Sequence, residues 1–202
     1  MADIDFARLL SPRLVLRRFR PSDLAAFCGY RSDPRVARYQ DWESCSEEEG
    51  RQLLEQQMTL HPDVPGTWFQ VAIELAEAGA LIGDCGLHTL ADRPRQAEIG
   101  FTVARDHQGK GYATEAVARL LEYAFGTLEK HRVIAVTDAR NLPAARVLER
   151  VGMRREGHFI ENIWFKGGWG DEYQYAVLER EWRARRATGG AGPAGTAWSP
   201  SQ

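Results

Sequence analysis

A glycine-bearing turn between a predicted strand and a predicted helix constrains the fold of this chain most. The turn, Arg105–Glu115, follows the alternating run Ala97–Val103, which is typical of a half-buried strand. It leads into Ala113–Phe125, whose apolar residues recur at helical spacing. A strand, a tight turn and a helix in this order aim free backbone N–H groups and the positive end of a helix at one point. The sequence therefore predicts an anion site at this turn.

Two common phosphate-binding motifs do not fit the turn. A Walker A loop needs a glycine where Ala104 stands and a serine or threonine where Gly111 stands. A dinucleotide fingerprint needs a third glycine where Thr114 stands. The pattern that remains is Gln108-x-x-Gly111-x-Ala113. A simple surface turn between a strand and a helix stays open as the alternative.

Length and composition are those of one ordinary globular domain. The chain has 202 residues, of which we expect 1–186 to form the domain and the Gly/Ala/Pro-rich stretch 187–202 to be a flexible tail. A formal net charge of −2 gives no reason to expect nucleic acid as a partner. No apolar run approaches the ~20 residues of a membrane span, and the N-terminus lacks a signal-peptide layout. We therefore expect no membrane association.

The cysteines indicate the compartment. Cys28, Cys45 and Cys85 are odd in number and far apart in the sequence, with neither metal-ligand spacing nor a disulfide framework. We therefore expect no metal and a reducing cytoplasm as the location.

Other patterns predict the surrounding elements. Ser46 and Glu49 have capping-box spacing at the start of a helix. The continuous apolar run His131–Val136 predicts a strand buried on both faces. Asn141–Val151 predicts a helix that Gly152 ends.

Four stretches together resemble one known family. They are Arg13–Phe19, Glu98–Phe101, Asn141–Met153 and Glu156-Gly157. With the Gln108–Ala113 pattern, they are similar to the GNAT superfamily of N-acetyltransferases. The likeness to the superfamily runs from about Arg13 to Trp182, and the four stretches resemble its ribosomal-protein-alanine (RimJ/RimL-like) branch.

The resemblance implies a fold and a cosubstrate. The fold is a mixed α/β one, with a twisted, mostly antiparallel sheet, flanking helices, and a fourth and fifth strand that splay apart to admit acetyl-coenzyme A. Backbone groups in the strand would hold the pantetheine arm, the turn would hold the pyrophosphate, and an asparagine would lie near the reactive end. The matching residues here are Phe101, Thr102 and Val103 for the arm, Gln108, Gly109, Lys110, Gly111, Tyr112 and Ala113 for the pyrophosphate, and Asn141.

Glu98 is the candidate general base, because it lies on the strand next to the proposed thioester and opposite its apolar face. An exposed strand glutamate is the alternative reading, and Asp84 is a weaker candidate base. Ala144 and Leu148 stand where many members of the family have a serine and a tyrosine acid. Both fit the buried stripe of the predicted helix, which leaves the general acid unassigned.

The predicted function is acetyl-CoA-dependent acetylation of a primary amine, either a protein N-terminus or a small-molecule amine. An aminoglycoside-type acetyltransferase and a non-catalytic CoA-binding module are the alternatives. The first helices, the 31–43 loop and the last hairpin should form the acceptor site, with Trp42, Trp164 and Trp169 as candidate lining. Either a monomer or a homodimer is compatible with the sequence.

Overall fold

One eight-stranded sheet forms the frame of the molecule. The computed structural model describes residues 6–188. Its strands are β1 (Arg8–Leu10), β2 (Leu14–Arg17), β3 (Trp68–Leu75), β4 (Leu81–Thr89), β5 (Gln96–Val103), β6 (Arg132–Asp138), β7 (Arg154–Phe165) and β8 (Gly168–Leu178). Its helices are α1 (Leu24–Arg31), α2 (Pro34–Ala37), α3 (Glu47–Thr59), α4 (Tyr112–Gly126), α5 (Leu142–Arg150) and α6 (Glu179–Ala187). Single 3₁₀ turns lie at Pro21–Asp23 and Arg105–His107.

The sheet is mixed and mostly antiparallel, as predicted. Its strand order is β1-β2-β3-β4-β5-β6-β8-β7, and β5–β6 is its parallel pair. The helix α4 makes the crossover between β5 and β6. The short strand β1, which the sequence patterns did not predict, pairs with β2 and adds an edge to the sheet.

The parallel pair separates after three residue pairs. Gln96, Ala97 and Glu98 lie opposite Arg132, Val133 and Ile134, and beyond Glu98 the two strands no longer pair. Throughout its length β5 stays paired with β4, while β6 stays paired with β8. The resemblance placed this gap between the fourth and fifth strands; because β1 precedes them, they are the fifth and sixth here.

Helices cover both faces of the sheet. The predicted apolar stripe of α4 is buried against one face through Ala116, Val117, Leu120, Leu121, Ala124 and Phe125. A second cluster packs α1 and α3 on the other face around Phe19, Phe27, Tyr30, Leu54 and Ala72. The second cluster meets the sheet at β3, through Ala72.

Local signals at two helix ends are confirmed. Ser46 Oγ accepts the backbone N–H of Glu49, while the Glu49 carboxylate accepts the backbone N–H of Ser46 at 2.9 Å. Gly152 follows α5 with φ of +93°, the left-handed conformation expected of a residue that ends a helix.

The prediction that β6 is buried on both faces is wrong. Val133 and Ala135 are buried, but Ile134 is half-buried and Val136 is 37% exposed. Because β5 diverges, nothing from that strand flanks the outer half of β6. The buried cluster that includes α4 and α5 covers only the face of Val133 and Ala135, which leaves the other face of β6 partly open.

Two cysteines that are distant in the sequence lie together in the fold. Cys28 on α1 and Cys45 before α3 place their Sγ atoms 3.3 Å apart, both as free thiols. Gly50 of α3 faces this pair, and a Cβ there would lie 2.4 Å from Cys28 Sγ. The chain reversal between α1 and α3 brings the two thiols together, a contact that their spacing in the sequence does not show.

The predicted tail lies almost wholly outside the described residues. Ala187 is the last residue of α6, and residues 189–202 are not described. Among residues 6–188, no helix combines the length and the apolarity that a membrane crossing needs.

Candidate active site

A cleft opens where β5 and β6 diverge. Its volume is about 610 Å³, and its walls are the end of β5, the first turn of α4, one side of α5 and the α2 region. Nine of the residues predicted to contact the cosubstrate line it: Phe101, Thr102, Val103, Gln108, Gly109, Gly111, Tyr112, Ala113 and Asn141. Lys110 lies in the same turn but outside this lining, and Glu98 also lies outside it.

The turn before α4 is built by two left-handed glycines. Gly109 has φ of +74° and Gly111 of +83°, values that side chains other than glycine rarely adopt. Gln108 Nε2 donates to Val103 O at 2.8 Å and braces the turn against the end of β5. Gly111 is the N-cap of α4, so no side-chain oxygen there occupies the first N–H groups of the helix. The residues of this first turn line the cleft, where free N–H groups can bind an anion.

An ion pair fastens the turn to the edge of the sheet. Glu115 accepts hydrogen bonds from Arg13 N, Arg13 Nε and Ser11 Oγ at 2.7–2.9 Å. Arg13 Nη1 also donates to Lys110 O at 3.1 Å. Burial opposes ionisation of Glu115, but these hydrogen bonds outweigh it and hold its pKa below the usual value. Glu115 therefore anchors the turn to the chain before β2.

The cleft is strongly basic, which the sequence did not predict. Its lining includes Arg35, Arg38, Arg105, Arg146 and Arg150. Among the described residues that line it, there is no aspartate or glutamate. These arginines come from three separate segments, so no cluster of charge marks them in the sequence. Together with the helix N-terminus, they make the cleft suited to a ligand with several negative charges.

Asn141 caps α5 at the opposite wall. Its Oδ1 accepts the backbone N–H of Ala144 at 3.3 Å. Ala144 lines the cleft and is only half-buried, so the prediction that it packs in the core is wrong. Leu148 is 1% exposed, as its place in the stripe predicted. Neither position offers a hydroxyl to the cleft.

Glu98 stands at the closed end of the gap. It is the last residue of β5 that pairs with β6, and its side chain is half-buried. It belongs to a row of directly opposed residues across four strands, Trp68, His88, Glu98 and Ile134, whose side chains share the face opposite α4.

Burial is the largest influence on the Glu98 carboxyl and raises its pKa. The charge of Glu172 on β8 raises this pKa further, while that of His88 lowers it. A carboxylate with a raised pKa is a stronger base than an ordinary glutamate, which suits a proton acceptor.

Asp84 is held in a different environment. Tyr30 Oη donates to Asp84 Oδ2 at 2.5 Å, and Arg31 Nη2 lies 3.8 Å from Asp84 Oδ1. Burial raises the pKa of Asp84, and the charge of Arg31 opposes this. These contacts tie α1 to β4 and leave Asp84 buried, away from an incoming substrate.

The last hairpin touches the α2 region, as the predicted acceptor site requires. Lys166 Nζ, at the tip between β7 and β8, donates to Ala37 O and Trp42 O at 2.8 Å each. The Trp42 ring lies 4.0 Å from the Arg31 guanidinium. Trp164 and Trp169 pack edge-to-face on the hairpin and remain about 60% exposed. Their contact with an acceptor stays a prediction.

Metal ligands do not gather in the described part of the chain. Within residues 6–188, no group of three or more His, Cys, Asp or Glu side chains is placed to hold a metal ion.

Comparison with known proteins gives the family. Residues 13–154 match the family described as the acetyltransferase (GNAT) domain. The uncharacterized N-acetyltransferase YnaD of Bacillus subtilis (strain 168) is 33% identical over 180 residues, covering 86% of this chain and 98% of YnaD. The chain belongs to the GNAT family and is an N-acetyltransferase.

Solved structures agree with this assignment. An acetyltransferase (GNAT family) from Bacillus anthracis has a TM-score of 0.78 at 32% identity, covering 86% of this chain and 99% of that one. Spermidine N-acetyltransferase from Vibrio cholerae, solved in complex with CoA and spermine, has a TM-score of 0.74 at 25% identity, with coverage of 86% and 99%.

Proposed function

We propose that this protein transfers the acetyl group of acetyl-CoA directly to a primary amine. The observation that supports this proposal best is the basic cleft at the β5–β6 gap. The N-terminus of α4, which has no side-chain cap, faces this cleft, and Glu98 lies at the end of the gap where β5 and β6 still pair. Coenzyme A has a polyanionic end and a thin amide-bearing arm, and both features match this cleft. The CoA-bound neighbour from Vibrio cholerae supports the same choice of cosubstrate.

Each end of the cosubstrate has a place in this arrangement. The pyrophosphate would lie on the Gln108–Ala113 turn, where Lys110 adds a positive charge. The pantetheine arm would pair with the backbone of Phe101–Val103, whose outer edge has no strand partner. Asn141 would contact the coenzyme from the α5 side. The thioester would then lie close to the closed end of the gap.

Glu98 is the proposed base at that end. It would take a proton from the ammonium form of the acceptor, and the neutral nitrogen would attack the thioester carbonyl. The new C–N bond forms, the C–S bond breaks, and the nitrogen releases its second proton to solvent as the amide forms. Coenzyme A leaves as a thiolate that takes up a proton. A thiolate is a weak base whose conjugate thiol has an ordinary pKa of ~8.5, so solvent can supply that proton. This fits the lack of a hydroxyl at Ala144 and Leu148.

The acceptor we propose is a small-molecule amine or a protein N-terminus. Spermidine N(1)-acetyltransferase of Vibrio cholerae is 31% identical over 91 residues, or 45% of this chain, which supports the first. Membership of the RimJ/RimL-like branch, which we propose from Arg13–Phe19 and the other matching stretches, supports the second.

The test is release of free CoA thiol from acetyl-CoA, with mass spectrometry of the acceptor. The panel contains linear polyamines, peptides with free N-termini, peptides with an acetylated N-terminus and one lysine, and aminoglycosides. We expect amine-dependent thiol release with at least one class, and an acceptor heavier by one acetyl group. Binding of acetyl-CoA without turnover on any amine would favour a non-catalytic CoA-binding module instead.

A further inference from the structure

His88 lies directly opposite Glu98 on the neighbouring strand. The two residues form a cross-strand pair between β4 and β5, with side chains on the same face. Such pairs place their Cβ atoms about 5 Å apart, within reach of side chains of this length. The half-buried His88 is thus the nearest ionisable neighbour of Glu98 within its row of opposed residues.

Trp68 fixes the plane of the His88 ring. The two rings stack with centroids 5.2 Å apart and an interplanar angle of 18°. The indole fits over two opposed glycines: a Cβ at Gly86 would lie 3.2 Å from Trp68 Cε3, and one at Gly100 would lie 3.6 Å from Trp68 Cη2. Gly86 therefore makes room for the indole, since a Cβ there would be in tight contact, while a Cβ at Gly100 would make ordinary contact. The indole holds the imidazole beside Glu98.

One nitrogen of His88 has no partner. Within residues 6–188, no group makes a hydrogen bond with His88 Nδ1, although that atom is buried. Leaving such an atom unpaired has a free-energy cost, and these exceptions in a folded protein call for an explanation. An imidazole used for proton transfer needs a nitrogen that no structural hydrogen bond occupies.

We propose that His88 accepts the proton that Glu98 removes from the amine and passes it to solvent, which resets Glu98 for the next turnover. This role rests on the proposed function of Glu98 as the base. In the step, an O–H bond of the protonated Glu98 breaks and an N–H bond of His88 forms, giving a glutamate and an imidazolium. Solvent then removes the second proton of the imidazolium. Trp68 acts as a positioning residue for the ring.

The charged surroundings of the pair are simple. Trp68 of β3 contributes no charge, and Glu98 of β5 is the opposed carboxylate. Glu172 of β8 is the other carboxylate whose charge acts on Glu98. Because the charge of His88 lowers the pKa of Glu98, removing the imidazole should raise that pKa. The acid limb therefore reports the charge of His88, and kcat above that limb reports whether His88 takes up the proton.

The experiment compares full-length wild type with His88→Gln, Glu98→Gln and the double variant. We measure kcat and KM against pH with the best acceptor from the amine panel. His131→Gln is the matched control, since His131 is an exposed histidine at the start of β6. For His88→Gln we expect kcat about tenfold lower, part of what general base catalysis supplies. We also expect an unchanged KM for acetyl-CoA and an acid limb shifted to higher pH.

The double variant separates the two hypotheses. If His88 acts through Glu98, the double variant is no slower than Glu98→Gln. Wild-type kcat in His88→Gln, with or without a shift of the acid limb, alongside a slow Glu98→Gln, would overturn the role of His88 and leave Glu98 as the base. Wild-type turnover in Glu98→Gln would overturn the base itself. Trp68→Phe, which keeps an aromatic ring for the stack, should retain most of the activity that Trp68→Ala loses.

Discussion

At the scale of single residues, the proposed chemistry depends on one carboxylate at the closed end of a gap. Glu98 is half-buried, lies at the last residue pair of β5 and β6, and has a raised pKa chiefly because of burial. Its backbone pairs with a neighbouring strand on each side, and this pairing fixes the position of the Cα from which the side chain extends. A base in such a position needs little reorganisation to meet an amine.

Replacing this carboxylate should slow the chemical step and leave cofactor binding intact. For Glu98→Gln we expect kcat about a hundredfold lower, the lower end of what general base catalysis contributes. KM for acetyl-CoA should stay unchanged, because Glu98 does not line the cleft. The loss should be smaller for peptide N-termini than for polyamines, since an α-amine is about 15% neutral at pH 7. Steady-state kinetics with both acceptor classes makes the comparison.

Glu172 should tune the pH at which the enzyme becomes active. Its negative charge raises the pKa of Glu98, so Glu172→Gln should lower that pKa. The base form of Glu98 then persists to lower pH, and the acid limb of kcat/KM shifts to lower pH. A glutamine can still accept the hydrogen bond that Asn162 Nδ2 gives to Glu172.

A pH series of kcat/KM tests this, with Glu77→Gln, on the β3–β4 turn, as the control. An acid limb that stays in place, or moves to higher pH, would contradict the proposed interaction.

At the scale of elements, the site is a junction of β5, the following turn, α4 and α5. The sequence predicted this junction well, because a left-handed glycine turn, an apolar helical stripe and a helix cap are each encoded within a few residues. Gly111, Ala113 and Asn141 are accordingly found beside the cleft. Each of these signals acts locally, so the rest of the chain does not alter it.

Features that depend on strand register or chain reversal were not predictable from the sequence. The opposition of His88 to Glu98 follows from the pairing of β4 with β5, which no local pattern fixes. The contact of Cys28 with Cys45 follows from the packing of α1 on α3. The arginines that line the cleft come from three segments of the chain, so no single stretch of the sequence indicates a basic site. Local patterns thus gave the elements, and tertiary packing decided which side chains meet.

The packing of α1 on α3 gives a stability prediction. Gly50→Ala should destabilise the fold by about 1–3 kcal/mol, because the added Cβ would lie 2.4 Å from Cys28 Sγ and 3.0 Å from Leu24 Cδ1. Gly29→Ala is the matched control on α1, where a Cβ meets nothing within 4 Å. Its better helix propensity should stabilise by ~0.5–1 kcal/mol. Urea unfolding of the three proteins measures both effects, and equal stability of the two variants would contradict the packing described.

At the scale of the whole molecule, the sign of the charge in the cleft is opposite to the net charge of the chain. The chain carries a formal net charge of −2, yet five arginines line the cleft and no described lining residue is acidic. Clefts lined by one sign of charge concentrate ligands of the opposite sign. The sheet supports this arrangement, since β5 and β6 no longer pair beyond Glu98 and leave the gap open.

The most direct measurement is thermal unfolding with acetyl-CoA, free CoA, ATP and NAD in parallel. A ligand at about 100 times its dissociation constant stabilises by ~2.7 kcal/mol, which for a domain of this size raises the midpoint by about 5–10 °C. Gly111→Ala should reduce the rise, because φ of +83° forces the turn to deform around a Cβ. Gly79→Ala, left-handed at +65° but on a distant turn, should keep it.

We predict a rise of this size with the two CoA species, and a smaller one or none with ATP and NAD. Absence of any rise with acetyl-CoA and CoA would contradict the cleft as the cosubstrate site, and the proposed chemistry at Glu98 with it.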